Sequence, residues 1–188
     1  MPQLEVQLFL DLAEKAEKLA CWDLETSGLG ADYQSIIIAS IKPFNKPAVT
    51  FCADRYNKDK RLVRQVKAEL EKYVILVAHF GKGFDIPFLN TRLLYWGLPS
   101  LEKRHHIDTF FQLKYRLKTS SASQAALLSF LELPEQKMSL PPGTWQSIFT
   151  NKDAKEKLIA RCESDCKGLE ALYKKTRHLF RDVVCQWA

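Results

Sequence analysis

Two acidic residues near the start of the chain have a spacing that could support metal chemistry. Asp23 and Glu25 lie two positions apart in Cys21–Gly28, CWDLETSG, a segment that reads as a short strand. Side chains at positions i and i+2 of a strand point to the same face of the sheet. The two carboxylates would therefore repel each other unless a positive group, such as a divalent metal ion, lies between them.

Two further acids occur in unexpectedly apolar settings. Asp85 lies in HFGKGFDIPFL (79–89), and Asp165 lies at the edge of an apolar helical stripe within LIARCESDCKGLEALY (158–173). A buried ionised carboxylate is costly unless it is paired or bound to metal. Mg²⁺ and Mn²⁺ are hard ions that favour carboxylate ligands. We therefore predict a site for two such ions, a pair that about 4 Å apart can activate water and stabilise a leaving oxygen in phosphodiester cleavage.

Three of these acids also have a simpler explanation. Asp23 could cap a turn, Asp85 could be a helix N-cap, and Asp165 could form an ion pair with Arg161 one helical turn away. The metal site is favoured because all three simpler explanations would have to hold together.

Hydrophobic periodicity predicts an α/β protein. An amphipathic helix comes first, and a predicted antiparallel meander follows, with strands at about 19–25, 34–44 and 48–55. A helix at 58–73, a buried strand at 74–80, a helix at 84–96 and a short strand near 106–108 come next. Ser121 and Gln124 have capping-box spacing before an apolar segment, 139–145 is a predicted loop, and a long helix covers 152–177. These elements predict a mixed sheet covered on both sides.

Composition bounds the class of protein. The 188 residues are 46% hydrophobic and 27% charged, a globular balance that argues against disorder and is consistent with one domain over 1–188. No apolar run is long enough for a membrane span, and the first residues lack the basic leader of a secretory signal, so we expect no membrane partner. Five cysteines without metal-site spacing are typical of reduced thiols in a cytoplasmic protein. The net charge of +6 suits a polyanionic partner such as nucleic acid.

The segments WDLETSG, AHFGKGFDIPFL and CESDCKGLEALY resemble the three motifs of the DEDD 3′–5′ exonucleases. The similarity is greatest to the ribonuclease H-like predicted-exonuclease branch, whose IDT element resembles 107–109, and it spans about 19–175. The resemblance implies a ribonuclease H-like fold, two metal ions and removal of nucleotides from single-stranded 3′ ends. It also implies the metal ligands, which by position are Asp23, Glu25, Asp85 and Asp165.

Two positions depart from the family pattern. Phe80 follows His79 where the family often has Asn. Arg161 and Ala160 occupy the positions of the usual Tyr or His base, and arginine stays protonated in proteins. Catalysis would then need a base from elsewhere or a more acidic, metal-activated water. We expect Arg161 to neutralise charge on the scissile phosphate; the alternative is a weak ion pair with Asp165.

Further residues are candidates for substrate binding. Lys114 and Arg116 flank Tyr115, so stacking and phosphate contacts combine there. His79, at a strand end, could be either catalytic or a structural hydrogen-bonding residue. The predicted substrate-binding residues are Thr26, His79, Phe84, Asp108, Lys114 and Arg116. Two other functions stay open: a nucleic-acid-binding module with impaired chemistry, and a structure-specific endonuclease on the same fold.

Overall fold

A six-stranded mixed sheet lies at the centre of the computed structural model, which describes residues 3–141 and 143–186. The spatial order is β3-β2-β1-β4-β5-β6. Strand β1 pairs antiparallel with β2 and parallel with β4, and β5 pairs parallel with β4 and antiparallel with β6. The strands are β1 Leu19–Thr26, β2 Ile36–Pro43, β3 Val49–Cys52, β4 Ile75–Ala78, β5 Arg104–Asp108 and β6 Val184–Gln186. The predicted fold class and the antiparallel meander are confirmed, whereas β6 was not predicted.

Helices cover both faces of this sheet. They are α1 Gln3–Lys15, α2 Lys60–Leu70, α3 Asp85–Tyr95, α4 Thr109–Lys114, α5 Gln124–Phe130, α6 Thr144–Ser147 and α7 Lys152–Thr176. Among the described residues, no helix combines the length and the apolar character needed to cross a membrane.

Alternation along β1 separates two cores. Trp22, 1% exposed, faces the core formed with α2 and α3. Cys21 faces the opposite core, which includes residues of α1, α5 and α7. Asp23 and Glu25 have the same parity as Cys21 and therefore lie on the α7 side. The i, i+2 spacing thus directs both carboxylates towards the long helix.

Two local features differ from the sequence prediction. Ser123, rather than Ser121, caps α5, because its side chain accepts a hydrogen bond from the backbone N–H of Ala126. The predicted loop at 139–145 leads directly into α6, which begins at Thr144 after Gly143. Gly143 has a φ of 83°, so a residue without a Cβ suits this left-handed turn.

A buried network of hydrogen bonds around Asp59 joins α2 and α3 to the sheet. Asp59 is fully buried just before α2, and its carboxylate accepts hydrogen bonds from Arg92 Nε at 3.0 Å and Nη2 at 2.7 Å. Trp96 Nε1 at 2.8 Å and the backbone N–H of Ile36 at 3.0 Å complete the set. Both oxygens are therefore paired, which makes this buried carboxylate a structural link between β2, α2 and α3.

Candidate metal centre

Three of the predicted acids meet where α7 crosses β1. Asp23, Glu25 and Asp165 each place a carboxylate oxygen within 4.8 Å of the others. Glu25 and Asp165 are only 7% and 3% exposed. Cys162 packs one turn before Asp165, with its Sγ 3.5 Å from the backbone oxygen of Asp23. The apolar stripe of α7 thus brings Asp165 onto the strand that carries the other two acids.

The fourth acid, Asp85, lies beside this group. It is the first residue of α3, is 5% exposed, and accepts a hydrogen bond from the backbone N–H of Leu24 at 3.2 Å. Phe84 holds the N-cap position, so the simpler explanation of Asp85 as an N-cap is wrong. Burial raises the pKa of Asp85 to about 7, with Asp108 and Glu25 adding to the effect.

The site disfavours negative charge unless a cation is present. Burial raises the pKa of Asp23 well above its ordinary value, and Asp85, Asp165 and Glu25 raise it further. Burial also raises the pKa of Glu25. Asp165 Oδ1 is buried and has no hydrogen-bond partner among the described residues. This set of anionic oxygens, one of them unpaired, fits a hard divalent cation such as Mg²⁺ or Mn²⁺.

Two basic side chains contact the acidic group. Arg161 Nε donates to Glu25 Oε1 at 2.8 Å, while its Nη2 is 3.8 Å from Asp165 Oδ2. Lys137 Nζ is 3.2 Å from the same Asp165 oxygen. The Arg161–Asp165 pair, the alternative given by the sequence, is therefore present only as the longer of two contacts, because Glu25 from β1 is the nearer acceptor.

Three neighbours of the site were not predicted. Trp145 Nε1 donates to Glu25 Oε2 at 2.9 Å, and its ring centroid is 5.1 Å from the Arg161 guanidinium carbon. Gln124 Nε2 donates to the backbone oxygen of Asp165 at 2.7 Å, which ties α5 to α7. Lys137 and Trp145 belong to a segment of loop composition, and only the presence of a tryptophan in such a loop could have signalled a contact.

Three predicted substrate-binding residues have local structural partners. The Thr26 hydroxyl donates to the Gly28 carbonyl at 2.7 Å, and the Phe84 ring packs against Phe88 at 5.5 Å. His79 Nδ1 lies 2.9 Å from the Thr109 hydroxyl. Burial, assisted by Lys137, lowers the pKa of His79 to about 4, so this imidazole is neutral at physiological pH.

Asp108 is engaged by the backbone. Its Oδ1 accepts from the N–H groups of Phe80 at 3.0 Å and Phe110 at 3.1 Å, and its Oδ2 accepts from that of Lys82 at 2.9 Å. It ends β5 and caps α4. Asp108 therefore holds the loop after β4 in place through these hydrogen bonds. Contact of Asp108 with a substrate stays a prediction.

The two predicted basic residues lie on and just after α4. Lys114 Nζ is 5.3 Å from the Phe110 ring centroid, and Arg116 Nη1 donates to the Gln112 carbonyl at 2.7 Å. Within the described ranges, no hydrogen bond or ion pair joins either residue to the acidic group.

A family model of the RNase H superfamily matches residues 20–177. The chain belongs to the RNase H superfamily. The superfamily match covers every acid of the site, from β1 to α7. No curated protein matches this chain in sequence.

A solved structure shares the fold of this superfamily member. The family B DNA polymerase from the hyperthermophilic archaeon Pyrobaculum calidifontis superposes with a TM-score of 0.70 at 15% identity. The match covers 85% of this chain and 24% of the polymerase chain, so the protein spans about a quarter of that structure. Superfamily membership and the acidic group together support a nuclease-type function that uses divalent metal.

Proposed function

We propose that this protein is a 3′–5′ exonuclease of the DEDD type, hydrolysing phosphodiester bonds at single-stranded nucleic acid ends. The observation that carries the proposal is the meeting of Asp23, Glu25 and Asp165 within 4.8 Å on a ribonuclease H-like sheet. Asp85 adds the fourth carboxylate of the motif set beside them. The exonuclease direction follows from the motif resemblance rather than from the geometry.

Asp23, Glu25, Asp85 and Asp165 would hold two Mg²⁺ or Mn²⁺ ions. Such ions, when bound, lower the pKa of water and stabilise the leaving oxygen. The protein's part is to supply carboxylates whose own burial already opposes ionisation without a cation. The hydrophobic stripe of α7 and strand β1 fix the backbone positions of Asp23, Glu25 and Asp165 before a cation binds.

Arg161 is the proposed phosphate-binding residue. Its Nε is bound to Glu25 and its guanidinium lies over Trp145, which holds the planar group at the rim of the acidic set. With a cation held by Glu25, the Arg161 guanidinium would be free to bind a substrate phosphate with its fork of donors. Thr26, His79 and Phe84, which belong to or adjoin the same motifs, are proposed to border the bound nucleotide.

A second function is favoured by one observation. Arg161 stands where the family has a base and is bonded to Glu25, an arrangement that would suit a nucleic-acid-binding module with impaired chemistry. A structure-specific endonuclease is the remaining alternative on the same fold.

Single-stranded oligonucleotides labelled at either end, incubated with Mn²⁺, separate these functions. An exonuclease of 3′–5′ polarity shortens the 5′-labelled strand as a ladder and releases the 3′ label first as a mononucleotide. An endonuclease gives fragments of intermediate length from both the 5′-labelled and the 3′-labelled strands. A binding module gives a mobility shift without products.

Asp165→Asn keeps the size of the side chain but removes its charge, so cleavage and metal affinity should fall more than stability. Asp153→Asn is the matched control, because it makes the same change on the exposed first turn of α7. Titration calorimetry with Mn²⁺ measures the affinity directly. Unchanged stoichiometry and affinity in Asp165→Asn would exclude this residue as a ligand.

Arg161→Ala tests the proposed phosphate contact. We expect kcat to fall about a hundredfold, the size of effect seen when one charge-stabilising donor is removed. Arg161→Tyr introduces the family's usual base and should raise the rate. The pH–rate profile of the wild-type protein should lack a tyrosine-like titration. If both variants cleave at the wild-type rate at every pH tested, Arg161 takes no part in catalysis.

A further inference from the structure

The loop between β4 and α3 holds an aromatic side chain in an unusual backbone conformation. Phe80 has a φ of 63°, in the left-handed region that bulky residues rarely adopt, and 42% of the residue is exposed. Asp108 fixes this conformation by accepting hydrogen bonds from the backbone N–H groups of Phe80 and Lys82. A strained residue that keeps an aromatic ring at the surface points to a role for that ring.

The Phe80 ring is held in a fixed orientation. A Cβ at Gly83 would lie 2.3 Å from the ring, so the ring occupies the space that the missing side chain leaves. Phe110 contacts it edge-on with centroids 5.1 Å apart, and Phe111 stacks at 5.8 Å with an interplanar angle of 30°. Phe80, Phe110 and Phe111 form what we call the aromatic platform. A preordered ring loses little conformational freedom when it binds a planar group.

Basic groups continue from this platform. Lys114 Nζ lies 5.3 Å from the Phe110 ring and 5.6 Å from that of Tyr115, which is 76% exposed. Tyr115 then lines a cavity of about 590 Å³ together with Arg116 and Arg181. Aromatic rings interleaved with positive charges match a chain of bases joined by phosphates better than they match an apolar partner.

The platform adjoins the acidic group. Asp85 lies five residues after Phe80, at the start of the helix that this loop enters. His79 contacts Phe110 edge-on at 5.8 Å, and Lys137, which pairs with Asp165, is close enough to affect the His79 imidazole. A strand ending at the carboxylates could therefore reach the platform.

We infer that the aromatic platform and the basic cavity beyond Tyr115 bind a single-stranded nucleic acid segment, with a base stacked on Phe80 and phosphates near Lys114 and Arg116. The inference rests on the proposed function for its choice of partner, and it adds Phe80 and Arg181 to the substrate contacts. Stacking tolerates every base, so this surface would bind strands with little sequence preference.

Phe80→Asn tests the stacking contact. Asparagine accepts positive φ, so the loop should keep its conformation while the ring is lost. Fluorescence anisotropy with labelled twelve-nucleotide deoxythymidine and uridine oligomers in EDTA should show binding weakened about tenfold. Phe130→Asn, the same change at a 62% exposed phenylalanine of α5, is the control and should bind as the wild type does.

Two further variants separate stacking from folding and from general hydrophobicity. Phe80→Tyr should bind like the wild type, whereas Phe80→Leu should bind as weakly as Phe80→Asn. Lys114→Gln should reduce the slope of log affinity against log salt by about one. Thermal melts of all variants show whether the fold is kept.

Equal affinity of Phe80→Leu and wild type for both oligomers, or no binding by the wild type, would overturn the inference. Since EDTA prevents cleavage, this result is independent of the nuclease assay. A protein that cleaves but binds equally well without the Phe80 ring would keep the proposed function and lose the platform. One that binds through Phe80 without cleaving would keep the platform and support the binding-module alternative.

Discussion

Asp59 and the acidic group of the metal centre are both buried, but they differ in how well the surrounding residues satisfy their carboxylate oxygens. Asp59 is fully buried, and four hydrogen-bond donors, two of them from Arg92, satisfy its oxygens. Asp23 and Asp165 are held against each other and Glu25, and one buried oxygen of Asp165 has no hydrogen-bond partner among the residues that the structure describes. Asp59 gains partners on folding, whereas the acidic group gains repulsion.

Burial alone does not identify a functional acid. Asp108 is 2% exposed, as deeply buried as Asp165, yet backbone N–H groups hold both of its oxygens. A carboxylate that the fold has already paired stabilises the fold. A carboxylate that the fold buries beside other carboxylates requires compensating positive charge. In this protein Arg161 and Lys137 provide part of that charge, and a bound cation would provide the rest.

Loss of a metal ligand should distinguish the acidic group from Asp59 by its effect on activity. Asp23→Ala should lower metal-dependent cleavage by at least about a thousandfold, because a ligand is lost. Its melting temperature in EDTA should be unchanged or higher, since repulsion from Asp85, Asp165 and Glu25 is relieved. Asp153→Ala on the exposed end of α7 should retain activity. Retained Mn²⁺-dependent cleavage by highly purified Asp23→Ala protein would refute the two-metal assignment.

Asp59→Ala should show the opposite pattern in stability. It leaves the 2% exposed Arg92 without its carboxylate, and breaking such a buried pair costs about 3–5 kcal/mol. Urea denaturation measures the loss. Asp54→Ala, which removes an exposed partner of Arg61, is the matched control and should change the midpoint little. Equal losses in the two variants would show that the Asp59 network does not stabilise the fold.

Between pH 5 and pH 8, the pH dependence of the metal-free protein gives a smaller effect than the loss of Asp59. The pKa of Asp85 is about 7 in the folded protein and about 4 when unfolded, so the folded state binds the proton more tightly. Its contribution favours folding below pH 4 and is lost as pH rises to 7, at up to about 1.4 kcal/mol per pH unit.

Asp85→Asn in EDTA should therefore be more stable than the wild type at pH 8, with the difference shrinking towards pH 5. Urea midpoints at the two pH values check this expectation. A difference that does not depend on pH would mean that Asp85 titrates normally.

Local chemistry in the sequence anticipated much of the fold and part of the site. Alternation in β1 placed Trp22 in one core and directed Asp23 and Glu25 to the other face, as the structure shows. The apolar stripe of α7 placed Asp165 at its edge. Both rules depend only on the periods of strand and helix, so neighbouring residues are sufficient to apply them.

Long-range pairing could not be anticipated in this way. Sequence gives Asp59 and Asp108 the same chemical character as Asp165, and only the positions of distant donors distinguish them. Strand β6 was missed because it joins the sheet through pairing with β5, some eighty residues earlier in the chain. The alternative pairing of Arg161 within its helix is the longer of its two acidic contacts, because β1 supplies a nearer acid in Glu25.

Backbone periodicity sets side-chain direction, so the amino-acid sequence is enough to tell which acids share a face of a strand or lie at the edge of a helix. Folding is needed to bring Lys137 and Trp145 to the acidic group, to leave one Asp165 oxygen without a donor among the described residues, and to give the ring of Phe80 its space beside Gly83. The physical reason is that hydrogen bonds, ion pairs and ring contacts act over a few ångströms, and the distances between residues far apart in the chain exist only after folding.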